Sequence, residues 1–223
     1  MVPAKESPPA PIPVPAMRFL LPCALAAVLL AAVPPAGATT VEPLDFAELV
    51  ASSDYVVRGR VVARRDEVVR RDGRDVPYTR IEVAVQEVVA GTPPAQVVLR
   101  VLGGRLPDGS ELRVDGVPPF TVGDEEFLFV KGNGVNFYPT NGVMYGRYPV
   151  LFDKRLGRNY VARSNRVPLA ATAEVGLPLA EGKLAQLLRR QIRADDALTP
   201  EEFSASIRAA RGAKDGKGVS HAR

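Results

Sequence analysis

Apolar and polar side chains alternate through residues 54–65, DYVVRGRVVARR. One row of this alternation is apolar and the other is basic: Tyr55, Val57, Val61 and Ala63 against Arg58, Arg60 and Arg64. A period of two is typical of a strand that has one face in a core and the other in water. We therefore expect this stretch to open a sheet.

Further stretches along the chain predict more strands. Residues 78–89 alternate in the same way, so we expect them to pair antiparallel with the first strand across a solvated loop at residues 66–76. Residues 96–102 and 126–130 are apolar on both sides, which is typical of buried strands, and we expect the first of them to lie centrally. Three shorter strands are predicted around the hairpin-type turns Gly132-Asn133-Gly134 and Asn141-Gly142: residues 135–138, 143–152 and 159–163.

Helical spacing is confined to the two ends of this region. Residues 43–53 predict a short helix that covers one end of the sheet, with Pro43 in its first turn. Beyond residue 176, an apolar stripe predicts one helix, and the capping box Thr199-Pro200-Glu201-Glu202 predicts a second helix that runs toward Gly212. The stripe consists of Leu184, Leu187, Leu188 and Ile192.

The predicted fold class is mainly β: a small antiparallel barrel of OB type, or a sandwich, with a C-terminal helical appendage. We expect the barrel domain to span residues 39–176, the helices residues 177–211 and a disordered tail residues 212–223. The basic, amphipathic helices could lie on an anionic membrane surface. The preferred interpretation is that they pack on the barrel or on each other through Leu184, Leu188, Phe203 and Ile207.

The N-terminal segment has the pattern of a secretory signal. Arg18 precedes an apolar run at residues 19–33, and Ala36-Gly37-Ala38 follows, which predicts cleavage after Ala38. The Pro-rich residues 1–16 lie awkwardly ahead of this signal, so we expect translation to start at Met17. The apolar run is shorter than the roughly 20 residues of a membrane span, although an uncleaved anchor is the alternative. We expect an exported protein, periplasmic or extracellular, that meets a membrane only through this signal.

Composition limits the chemistry of the exported chain. Cys23 is the single cysteine and lies inside the predicted signal, and His221, the single histidine, lies in the predicted tail. We therefore predict no disulfide, no thiolate or histidine metal site, no catalytic triad and no cofactor. Residues 39–182 carry 18 basic and 19 acidic side chains, whereas residues 183–223 carry 9 and 5. A body with this balance is not expected to bind nucleic acid.

The loop at residues 103–120 is the least regular part of the predicted barrel. A loop of this length inside a compact domain is often functional. We predict that it is the contact surface of a non-catalytic binding or accessory module, whose partner is an unidentified protein or envelope component. The candidate contact residues are Arg105, Asp108, Arg113 and Phe120.

Two enzymatic or inhibitory alternatives remain open. The same loop could act as a secreted protease inhibitor. A carboxylate-based hydrolase would need Glu111 or Asp115 to approach Asp124 or Glu126 in a cleft. The basic row of the first strand could dock an acidic partner, but pairing with Glu82 across the strands is the preferred interpretation.

One series of residues resembles a known pattern: Ser53 to Val61, Tyr78-Thr79, Val88 to Gly91, Gly103-Gly104, Gly116 to Phe120, Gly123 and Phe127 to Val130. The series resembles a group of uncharacterised exported bacterial β-rich proteins over residues 44–152, and it implies no activity. More distantly, the opening strand D-x-V-V-x-G-x-V resembles the OB-type barrel of netrin and metalloproteinase-inhibitor modules. This second resemblance implies a barrel and not inhibition, because those inhibitors present an N-terminal cysteine to the protease zinc.

Overall fold

The computed structural model of the chain describes residues 41–114, 117, 119–191 and 194–219, the last six of them by backbone alone. All of these residues belong to one unit, Val41–Arg223. The predicted start at Met17, Cys23, the cleavage after Ala38 and His221 lie outside the described residues.

The described residues form eight strands, three α-helices and two 3-10 turns. The strands are β1 Tyr55–Arg71, β2 Arg74–Gly91, β3 Val97–Leu102, β4 Gly104–Arg105, β5 Glu111–Leu112, β6 Glu125–Val130, β7 Arg147–Asp153 and β8 Arg158–Val161. The helices are α1 Phe46–Ser52, α2 Gly182–Gln191 and α3 Pro200–Val219, and the 3-10 turns are Val143–Gly146 and Thr172–Gly176. No helix in the described ranges combines the length and apolar character needed to cross a membrane.

Six of the strands form one antiparallel sheet in the order β3-β2-β1-β6-β7-β8, and β4 pairs with β5 in a second, two-stranded sheet. The mainly β prediction is confirmed. The large sheet is open, with β3 and β8 at its edges. The prediction of a central place for β3 is therefore wrong.

The β1–β2 hairpin is longer than the sequence predicts. Its pairing runs out to Arg71 opposite Arg74, so the predicted loop at residues 66–76 is wrong. Asp72 and Gly73 alone make the turn, with φ of 50° and 76°. Positive φ at both central positions is the geometry of a type I′ turn, which matches the twist of long paired strands.

The sheet has an apolar side chain layer on each face. Phe127 and Phe129 of β6 belong to one buried cluster, and Leu128 and Val130 belong to another. The prediction that this strand is buried on both sides is confirmed. Phe203 of α3 enters the first cluster, with its ring centroid 5.1 Å from that of Phe127.

The outer edge of β3 is covered by a loop, residues 131–139. Leu102 donates its backbone N–H to the Phe137 carbonyl at 2.8 Å, and the Asn133 side chain donates to the Val98 carbonyl at 2.8 Å. The predicted strand at 135–138 is wrong, because the Gly132 carbonyl accepts from the N–H groups of Val135 and Asn136 and folds this segment into a turn.

The Asn141-Gly142 turn is also not a hairpin. A 3-10 turn follows it, and the next strand begins only at Arg147. The Asn141 side chain instead donates to the Leu49 carbonyl and to the hydroxyls of Ser52 and Ser53 at the end of α1. Its amide therefore fastens α1 to the sheet, which is a tertiary role that turn chemistry does not indicate.

The predictions for the helices at the two ends of the sheet region are confirmed in part. Helix α1 begins at Phe46 with Asp45 as its cap, so Pro43 is not in its first turn. The predicted capping box of α3 is confirmed, because Thr199 and Glu202 bond reciprocally. Helix α3 continues to Val219, past the predicted end at Gly212.

The packing of the C-terminal helices also differs from the prediction. Phe203 and Ile207 are fully buried, as predicted, but Leu184 is 56% exposed. Ile192 lies outside the described residues.

Candidate functional site

Two glycines bring the 103–120 loop down onto the sheet. Gly103 and Gly104 have φ of 110° and 139°, a region that favours glycine. A Cβ on Gly103 would lie 2.9 Å from the Leu112 carbonyl oxygen, and one on Gly104 would lie 3.0 Å from the Thr79 hydroxyl. The Thr79 hydroxyl donates to the Gly103 carbonyl at 2.8 Å. The close approach of the loop to strand β2 therefore depends on the missing side chain of Gly104, and the close approach of the two arms of the loop depends on that of Gly103.

The loop then forms a small two-stranded ribbon. Strands β4 and β5 pair through Gly104 with Leu112 and Arg105 with Glu111. At the tip, the Asp108 carboxylate accepts from the backbone N–H and the hydroxyl of Ser110, at 2.9 and 2.6 Å. These bonds lower the pKa of Asp108, so its side chain is occupied in holding the turn as an anion.

A cavity of about 460 Å³ lies between this ribbon and the sheet. A volume of this size lies within the range of small-molecule and side-chain pockets. Its apolar wall consists of Ile81, Val101, Leu102, Leu112, Val114, Val117, Pro119, Phe120 and Tyr138. Its polar side chains are Arg64, Thr79, Glu111 and Arg113. The cavity thus has an apolar wall and a charged rim.

The charges at the rim are dominated by arginines. Arg113 donates to the Glu111 carboxylate at 2.9 Å, and this bond lowers the pKa of Glu111. Arg105 and Arg64 lower it further by their charge, while Glu111 raises the pKa of Arg113. The rim therefore carries two guanidiniums, Arg64 and Arg113, against one carboxylate, and this balance favours a ligand that carries an anionic group.

Phe120 lines the cavity, and its ring is held in position by a neighbouring side chain. Its ring is buried, and the Arg147 guanidinium carbon lies 3.5 Å from the ring centroid. Arg147 in turn forms a two-bond ion pair with Glu126, at 2.9 and 2.6 Å, and both side chains are almost completely buried. Phe120 therefore acts as a fixed wall of the cavity.

The four candidate contact residues do not converge on one point. Arg113 and Phe120 line the cavity, whereas Arg105 and Asp108 lie exposed on the ribbon outside it. Sequence reasoning missed Arg64 and Tyr138 as lining residues. Arg64 stood out only as one member of a basic row, and the strand pattern could not show which member reaches the loop.

The described carboxylates of the hydrolase alternative have different surroundings. Glu111 lines the cavity, while Glu126 is bonded to Arg147 and Asp124 lies 3.5 Å from Arg166. Asp115 lies outside the described residues. A carboxylate with a lowered pKa, such as Glu111, is also poorly suited to donate a proton as a general acid.

The basic row of β1 is divided between different partners. Arg58 and Arg60 pair with Glu125 of β6, at 2.8 and 3.1 Å, and it is Arg65 that approaches Glu82, at 3.9 Å. The predicted partner was therefore wrong, although the pairing across strands holds. Arg58 also bonds to Glu201 of α3, which ties the helix to the sheet.

In the described part of the chain, no group of three or more His, Cys, Asp or Glu side chains is placed to hold a metal ion. In comparisons with known proteins, no family model and no curated protein matches this chain.

Proposed function

We propose that the protein is an exported, non-catalytic binding module that holds an apolar side chain of a protein or envelope partner in the cavity under the 103–120 loop. The observation that carries this proposal is the cavity itself, which has a mainly apolar wall and an arginine-rich rim. Such a combination suits an apolar group with an acidic group beside it, because the wall desolvates the first and the rim attracts the second.

The loop geometry supports binding in preference to inhibition. A protease inhibitor presents a convex loop to the cleft of its target, whereas this ribbon encloses a concavity against its own sheet. No contact among the described residues favours the inhibitor or the hydrolase, and both remain predictions from the sequence.

We further propose that the large sheet is a variant of the OB-type barrel that the opening strand resembles. Support comes from the loop at residues 131–139, which satisfies the outer edge of β3 at Val98, Arg100 and Leu102. A loop would here take the place of the strand that completes a barrel. Because an edge with satisfied backbone groups does not recruit another strand, this arrangement also protects β3 from aggregation.

Replacing residues 107–117 by a short Gly-Ser linker tests the binding proposal. None of the described residues in this range belongs to either buried cluster, and Phe120 is retained. We expect the deletion to keep the circular dichroism spectrum and a cooperative urea transition. We expect it to abolish the crosslink that the exported protein forms with its partner in the native envelope.

The turn at Asp153 to Arg158 offers a matched control. Replacing residues 154–157 by the same linker alters the turn between β7 and β8, which does not line the cavity. This control should leave the crosslink intact. Retention of the crosslink after the loop deletion, or equal loss in both variants, would contradict the proposed contact surface.

A further inference from the structure

Helix α2 leaves an apolar face uncovered. Leu184 and Leu187 are 56% and 52% exposed, although Ala185 of the same helix is buried. Residues three apart lie on one side of a helix, so the two leucines form a continuous exposed strip. A single exposed leucine needs no explanation, but two of them on a ten-residue helix that also has a buried face do.

The helix is fixed at both of its ends. Before it, the Asn165 side chain donates to the Ala180 carbonyl at 2.9 Å. After it, the Arg158 guanidinium donates to three backbone carbonyls, those of Ala194, Asp195 and Ala197. Because these bonds hold the helix on the domain with Ala185 inward, the leucines are held outward.

The exposed leucines are flanked by positive charge. Lys183, Arg189 and Arg190 are the charged residues of Gly182–Gln191, and the helix contains no acid; the nearest one in sequence is Glu181, just before it. Lys183 and Arg190 lie four residues before and three after Leu187, and therefore on its side of the helix. Both are exposed, and no ion pair joins either of them to another described residue.

We propose that helix α2 binds the surface of a bilayer that carries anionic lipid headgroups. Leu184 and Leu187 enter the boundary between headgroups and acyl chains, and Lys183 and Arg190 contact the lipid phosphates. This surface is separate from the cavity under the 103–120 loop. It takes up, for helix α2, the membrane alternative that the sequence left open for the C-terminal helices.

Charge complementarity selects the bilayer over a second copy of the chain. Two copies that paired through this face would set their cationic side chains against each other, which disfavours association. An anionic surface attracts the same side chains and tolerates a shallow apolar strip, because only one side of the helix has to be buried.

The test is cosedimentation of the exported protein with vesicles, after its N-terminus has been shown to lie beyond the predicted signal. Phosphatidylcholine vesicles with and without phosphatidylglycerol are compared. We expect binding that requires phosphatidylglycerol and weakens as salt rises. The variant Leu184→Gln/Leu187→Gln and the variant Lys183→Gln/Arg190→Gln should each lower the affinity by about tenfold.

Two control variants match these in exposure and charge. Val122→Gln/Phe152→Gln removes exposed apolar side chains elsewhere, and Arg74→Gln/Lys154→Gln removes exposed charges elsewhere. We expect both controls to bind vesicles as the wild type does. If the leucine variant fails to fold, as judged by its urea transition, the charge variant still carries the test.

Equal binding to vesicles with and without phosphatidylglycerol would overturn the proposal, as would equal losses in the helix variants and their controls. Self-association that the leucine variant abolishes, in the absence of vesicle binding, would assign the face to a second copy and would also overturn it.

Discussion

At the scale of single residues, the cavity wall depends on a buried ion pair. Glu126 and Arg147 are 3% and 4% exposed at their side chains, and the Arg147 guanidinium covers the Phe120 ring. Two buried charges are tolerated here because each satisfies the other through two hydrogen bonds. The position of Phe120 is thus set by a guanidinium more than twenty residues further along the chain.

Removing one partner of this pair is expected to lower the free energy of unfolding more than replacing both partners does. Arg147→Met leaves the Glu126 carboxylate buried without its partner and should lower the free energy of unfolding by about 3–5 kcal/mol. Adding Glu126→Gln should restore part of that loss, because no uncompensated charge then remains. Urea unfolding of both variants measures the difference, and equal losses would show that the pairing is not what matters.

Tyr138 gives the cavity a pH-dependent side chain. Its hydroxyl donates to the Leu102 carbonyl at 2.9 Å, and burial raises its pKa to about 12. Because the pKa is raised on folding, the neutral hydroxyl stabilises the fold below the unfolded value of about 10, and this contribution is lost as pH rises toward the folded value.

The corresponding prediction compares the wild type with Tyr138→Phe. Between pH 10 and 12 the unfolding free energy of the wild type should fall more steeply than that of the variant. The comparison is needed because burial also raises the pKa values of Tyr55, Tyr148 and Tyr160. Parallel pH profiles would show that Tyr138 does not titrate in this range.

At the scale of elements, the small β4–β5 ribbon is positioned by glycine. Gly103→Ala places a Cβ 2.9 Å from the Leu112 carbonyl oxygen in a backbone region that side chains rarely adopt. Gly109→Ala, at the tip of the same ribbon, has a φ of 86° but no atom within 4 Å of the added Cβ. The two substitutions therefore share the backbone strain and differ in the clash.

We expect Gly103→Ala to destabilise the protein by about 1–3 kcal/mol more than Gly109→Ala, because overpacking adds to the strain. Urea unfolding measures both variants. Equal effects would mean that Leu112 can move away from Gly103, and that the ribbon over the cavity is not firmly built.

The sequence predicts well those elements whose secondary structure is determined by the pattern of their own side chains. Alternation predicts β1 and β2, the double-sided apolar run predicts β6, and Thr199 with Glu202 predicts the start of α3. The errors come from residues whose partners are distant in the chain. Asn133 and Asn141 suggest hairpin turns, but their side chains bond instead to β3 and to the end of α1.

The candidate site shows the same contrast between local patterns and contacts distant in the chain. The 103–120 loop stands out from the sequence by its turns and its length, but its lining residues do not. Arg64 and Tyr138 reach the cavity from β1 and from the loop after β6, and only the sheet order brings them together. Leu184 is the reverse case, because helical spacing suggests a packed face but the side chain is more than half exposed.

At the scale of the whole molecule, one open sheet supports two different surfaces. On one face, α1 and α3 cover the cluster around Phe127, Phe129 and Tyr148. On the other, the Phe120 ring and the Tyr138 side chain cover the cluster around Leu128 and Val130 and leave the cavity beside them. The helical face is thus covered by the chain's own helices, and the loop face carries the cavity for which we propose a partner.

The most direct test of this account is site-specific photocrosslinking in the native envelope. A photoreactive side chain at Leu112, which lines the cavity, is compared with one at Val122, which is exposed outside it. We predict a defined crosslinked product from position 112 that disappears when Val114→Trp fills the cavity, and none from position 122. The same product from both positions, or a product from position 112 that survives the filled cavity, would contradict the account.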